Sequence, residues 1–175
     1  DKAVGRGKVR GVVERQSFLR VRLQRRAFSR IHRLAHREAD WCLHTPDVIV
    51  IGASTGGTEA LTHLLRDFPR DAPPVVVVQH ISSAFSEAFF ERLAKAAGLK
   101  CGRFTNGTVL APGHLYMSTG DQHIEIDGRA GTLALRASDA PPVSRHRPSI
   151  DTLFLSVVAT RSSALGILLT GIGMD

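Results

Sequence analysis

The chain has 175 residues, 43% of them apolar, which suits one domain with one ordinary core. Its formal charge of +7 suggests a nucleic-acid binder until the charge is located: residues 1–46 hold 12 Lys/Arg against 4 Asp/Glu, and the other 129 hold 11 against 12. A basic domain is therefore excluded, and nucleic acid is not an expected partner.

No run approaches the roughly 20 apolar residues that span a bilayer, and no signal-peptide pattern opens the chain. The two cysteines, Cys42 and Cys101, are too few and too isolated for a disulfide framework or a zinc site. A reducing, cytoplasmic setting is the expectation.

The leading segment, residues 1–46, reads as a basic, partly helical linker or tail. Asp1–Gln16 is rich in Gly, Lys and Arg, with little to bury, and is expected to be disordered. From Ser17 to Leu43 the apolar residues Phe18, Val21, Phe28, Ile31 and Ala35 recur at near-helical spacing among arginines, which predicts a basic amphipathic helix. Such a helix suits an interdomain linker better than a membrane surface. The chain starts at Asp1 rather than Met, so a piece of a longer protein is expected.

From Pro46 the pattern alternates strand and helix. Val48–Ile51 is a run of four β-branched aliphatics, expected of a parallel strand covered on both faces. It runs through Gly52-Ala53-Ser54-Thr55-Gly56-Gly57 into a helix over Thr58–Phe68. Val75–Val78 is a second strand, introduced by Pro73-Pro74, and Ser86–Ala97 a second helix closed by Gly98. Lys100–Phe104 reads as a short strand. Leu115–Ser118, His123–Ile126 and Thr132–Arg136 alternate between turn signals and predict an antiparallel meander. Pro148 opens a third helix, with Ile150, Leu153, Phe154, Val157 and Val158 on one face. Gly166–Leu169 is the last strand. The expected fold is α/β and doubly wound: a mostly parallel sheet with helices on both faces and an antiparallel hairpin or meander.

In such sheets ligands bind beyond the strands' carboxyl ends. Three predicted strands end in reactive side chains: the first in Ser54, the second in His80, the last in the segment reaching Asp175. Ser54 occupies a G-x-S-x-G turn between strand and helix, the geometry of a nucleophile elbow. Serine needs a base to take its proton, and a carboxylate fixes that base's tautomer. The glycine-rich turn equally suits a non-catalytic or nucleotide-binding module that cradles phosphate. That alternative lacks an acidic residue about twenty positions on, where the chain reads Pro73-Pro74-Val75. None of the histidines shows a metal-site motif such as H-E-x-x-H, so no metal is expected, and no cofactor is expected either. The order Ser54, His80, Asp175 also differs from the Ser, Asp, His order of α/β-hydrolases.

The chain from about residue 47 resembles the catalytic domain of CheB-type protein-glutamate methylesterases, which demethylate chemotaxis receptors. The resemblance rests on Gly52–Gly57, Val78-Gln79-His80, Ala111-Pro112-Gly113, His146-Arg147-Pro148-Ser149-Ile150-Asp151 and Leu169–Asp175, in family order. It implies a catalytic domain over 47–175, with Ser54 as nucleophile, His80 as general base and Asp175 orienting it. Thr55 would help hold the imidazole, and the Ile172 backbone N–H would join the oxyanion hole, where the family usually has Met.

The implied reaction is hydrolysis of glutamate γ-methyl esters on receptor helices to glutamate and methanol, with glutamine deamidation in some members. A receiver or methyltransferase domain would belong to the parent chain, but nothing before residue 47 resembles a receiver. The family continues past this aspartate with a further turn and a covering helix, so a chain ending at Asp175 is expected to be truncated and poorly active.

Overall fold

The computed structural model describes residues 18–22, 45–66 and 68–169. Six strands form one sheet: β1 (Phe18–Arg22), β2 (Val48–Ala53), β3 (Val75–Gln79), β4 (Lys100–Cys101), β5 (His114–Met117) and β8 (Ala164–Leu168). Their spatial order is β1-β8-β2-β3-β5-β4, and every pairing is parallel. β6 (His123–Asp127) and β7 (Ala134–Ser138) form a separate antiparallel hairpin. Among the described residues there are three helices: α1 (Gly57–Leu65), α2 (Ser83–Ala97) and α3 (Ile150–Thr160).

Successive strand residues face opposite sides of a sheet, so a strand covered on both faces should be apolar throughout. β2 and β3 are buried at every residue and apolar except for Gln79 at the end of β3. Ile49, Ile51, Val75 and Val77 pack on one face with Leu61 and Leu65 of α1 and with Phe89 and Leu93 of α2. Val48, Val50, Val76 and Val78 pack on the other, with Ile150, Leu153 and Val157 of α3 and with Ile124, Ile126 and Leu135 of the hairpin. The doubly wound α/β expectation holds.

Local signals also hold where a named interaction supports them. Gly98 adopts φ 67° and closes α2, its N–H and that of Leu99 bonding back to Lys95 and Ala94 carbonyls. α3 starts two residues after Pro148 because Ser149 is its cap, its Oγ accepting from Thr152 N at 3.2 Å. α2 starts one turn earlier than expected, at Ser83.

Three expectations are corrected. The helix expected from Ser17 is instead a strand over Phe18–Arg22, because the outer edge of β8 offers a parallel ladder from Ala164 to Leu168; residues 23–43 lie outside the described residues. The Leu115–Ser118 strand does not join a meander. As β5 it pairs with β3 through Val75, Val76 and Val77, leaving β6 and β7 as a hairpin. The strand expected over Lys100–Phe104 shortens to Lys100–Cys101. Among the described residues, no helix is long and apolar enough to cross a membrane.

Candidate active site

β2 and β3 are in parallel register, with Gly52 opposite Val78 and Ala53 opposite Gln79. The next residues, Ser54 and His80, therefore leave the same edge of the sheet side by side. The His80 N–H still bonds the Ala53 carbonyl at 3.0 Å, so the ladder continues to His80 itself. Two side chains that the sequence separates by 26 positions are set at the ends of neighbouring strands.

The turn after Ser54 is tight. Gly57 N donates to Ser54 O at 2.7 Å, and Gly56, at φ 76°, is the residue before the first turn of α1. That left-handed conformation favours glycine. Gly57 is required for another reason: a Cβ there would overlap Gln79 Oε1 and lie 2.7 Å from Ala53 Cβ. The start of α1 is thus pressed onto the strand ends, and its dipole favours negative charge developing beside Ser54.

Gln79 fastens the two strand ends together. Its Nε2 donates to Ser54 O at 2.9 Å and to His80 O at 3.0 Å. Gln79 is 4% exposed, so its amide is largely shielded from solvent. The sequence showed Gln79 only as part of a strand-end motif, and the bridge depends on register between two strands.

A loop from the opposite side of the sheet completes the site. The segment between β7 and α3 carries His146, whose ring stacks on His80 with centroids 3.9 Å apart and planes 7° from parallel. The sequence motif around His146 gives its histidine no role of its own. Thr55 lies exposed in the turn after Ser54. On the other flank of β2, Leu169 N bonds Gly52 O at 2.9 Å, so β8 leaves the sheet at the same edge. Ile172 and Asp175 lie outside the described residues. Among the described residues, no group of His, Cys, Asp and Glu converges to hold a metal ion.

Residues 49–175 match the model of the CheB methylesterase family. A protein-glutamate methylesterase/protein-glutamine glutaminase of Chromohalobacter salexigens is 42% identical over 134 residues, covering 76% of this chain and 38% of that protein. One from Xanthomonas euvesicatoria is 45% identical over 132 residues, covering 75% of this chain and 37% of its own. The chain therefore spans well under half the length of these curated relatives. The crystal structure of the Thermotoga maritima CheB methylesterase catalytic domain superposes with a TM-score of 0.68 at 27% identity, covering 74% of this chain and 70% of that one. Fold, strand-end arrangement and family match coincide over the same residues, and the chain belongs to the CheB methylesterase family.

Proposed function

We propose that this chain hydrolyses γ-methyl esters of glutamate side chains on chemotaxis receptors, with Ser54 as nucleophile, His80 as general base and Asp175 as the carboxylate that orients it. The observation carrying the proposal is the pairing of Ser54 and His80 at adjoining strand ends, bridged by the Gln79 amide. The relatives' names supply the substrate class.

In this reading His80 takes the Ser54 hydroxyl proton as Oγ bonds to the ester carbonyl carbon. The carbonyl π pair moves onto oxygen, where backbone N–H groups, that of Ile172 among them, hold the oxyanion. Each such donor is typically worth about 3 kcal/mol of transition-state stabilisation. Collapse breaks the bond to the methoxy oxygen, and His80 returns the proton so that methanol leaves. A water molecule, deprotonated by His80, then cleaves the acyl-serine to glutamate and free Ser54. The same sequence on a γ-carboxamide would release ammonia, in keeping with the relatives' second named activity. Thr55 is assigned to the support of the imidazole. The nucleotide-cradle alternative accounts for the glycines but gives His80 no task.

The test is Ser54→Ala in the full-length protein, read as methanol release from methylated receptor and as labelling by a fluorophosphonate. Loss of both with an unchanged unfolding midpoint is the expected result. Retained methanol release would overturn the nucleophile assignment.

A further inference from the structure

The geometry points to His146 as a positioning residue for His80: a flat plate, delivered by a constrained loop, that fixes the plane of the base's ring. The inference rests on the reading of His80 as general base.

A catalytic imidazole must keep its plane, because its two nitrogens work in that plane, one toward the nucleophile and one toward an orienting partner. A ring packed against its face restrains tilt without competing for either nitrogen. His146 makes such a contact, at 3.9 Å and 7°.

The loop that delivers His146 is built for a fixed position. Val143 and His146 exchange backbone hydrogen bonds, Val143 N to His146 O at 3.1 Å and His146 N to Val143 O at 2.8 Å. The intervening Ser144 and Arg145 have φ of 49° and 69°. Such a turn favours Asn-Gly, and two ordinary residues held in the left-handed region imply surroundings that enforce it.

Those surroundings can be named. Fully buried His123 is bonded to both arms of the loop, its Nδ1 accepting from Ser149 N at 3.1 Å and its Nε2 3.2 Å from Pro141 O. Since Nδ1 accepts, the ring proton sits on Nε2 and donates to Pro141. Arg147 Nη1 donates to Asp139 O and Ala140 O at 3.3 and 3.4 Å. Ser149 and Ile150 are buried at the start of α3, and Ile150 packs against the sheet whose β3 leads into His80.

The test compares His146→Ala, His146→Phe, His146→Gln and His80→Ala in the full-length protein. Turnover is measured on a synthetic peptide carrying one glutamate γ-methyl ester, and Ser54 activation by the rate of fluorophosphonate labelling. Misplacing a catalytic group typically costs about tenfold to hundredfold, so His146→Ala should lower kcat by that factor while KM stays within about twofold. His146→Phe keeps a flat ring without nitrogens and should return kcat to within about threefold of the native value. Labelling should fall and recover in parallel.

An unchanged kcat in His146→Ala, a loss confined to KM, or rescue by Gln but not by Phe would overturn the proposal. If His146→Ala does not fold, the Phe variant decides alone: near-native kcat supports the plate, and a hundredfold loss in a folded protein refutes it. Full activity of His80→Ala would remove the base assignment and this proposal together. An inactive His80→Ala beside a fully active His146→Ala would remove only the latter.

Discussion

The Gln79 side-chain amide donates to the backbone carbonyl of Ser54 at 2.9 Å, across the boundary between two parallel strands. The same nitrogen reaches the carbonyl of His80, while Oε1 is buried with no partner among the described residues. The orientation is not arbitrary, since a flipped amide would set an oxygen against two carbonyl oxygens. One unsatisfied acceptor is tolerated so that the turn after Ser54 and the strand end at His80 share a donor.

Gln79→Leu should therefore destabilise the fold by about 1–3 kcal/mol, the usual effect of stranding buried polar groups. It should also reduce turnover at temperatures well below unfolding. Ser54 O retains its bond from Gly57 N, and both strand ends lose the shared Gln79 donor. Urea titration and methanol release, measured on one preparation, check both effects.

Gly57 answers to the same contact from the other side. A methyl group there would overlap Gln79 Oε1 and crowd Ala53 Cβ, so Gly57→Ala should cost about 1–3 kcal/mol as an overpacking change. Combined with Gln79→Ala, which removes the clashing oxygen, the double variant should lose less than the sum of the single losses. Additive losses in urea unfolding would show that Gln79 is not the obstacle.

Much of this arrangement was legible in the sequence, and the reasons are local. A run such as Val48–Ile51 has only one economical environment, a central strand covered on both faces, and the parallel order then brings Ser54 and His80 to one edge. Leu153 and Val157 announced the inner face of α3 by their spacing, and Gly98 announced the end of α2. What failed was decided by partners far along the chain. Phe18–Arg22 has near-helical spacing yet pairs with a strand some 146 residues away, a contact that local periodicity cannot express. β5 looked like one strand of a meander, but its register is with β3. His146 carried no local sign of its task, since a ring stack between residues 80 and 146 exists only in the folded chain.

Cys101 offers a check on the electrostatics away from the site. Desolvation raises its thiol pKa above the ordinary value, and the nearby Glu91 and Glu87 carboxylates raise it further. A raised pKa leaves less thiolate at any pH below it, and thiolate is the reacting form. Iodoacetamide at pH 8 should therefore modify Cys101 more slowly than a free cysteine peptide, followed by mass spectrometry of the Cys101 peptide. Glu87→Gln with Glu91→Gln should recover part of the difference, and the remainder reports desolvation, the larger cause.

His123 is the strongest test of how the second loop is held. It is fully buried and joins Ser149 N at the start of α3 to Pro141 O on the far arm of the loop. His123→Leu approximates the volume and removes both bonds, which should cost about 1–3 kcal/mol, chiefly through the lost acceptor of buried Ser149 N. Ser149 N is the more exposed to this penalty in energetic terms, because Ser149 is itself fully buried and water cannot replace the lost acceptor. Turnover should fall as well, with His146 no longer held to its place, while the β2–β3 ladder that sets Ser54 beside His80 is untouched. A destabilised His123→Leu that keeps full turnover would mean that the loop finds its position without this anchor. Asn at the same site, able to accept from one arm or donate to the other, should fall between the two in urea unfolding.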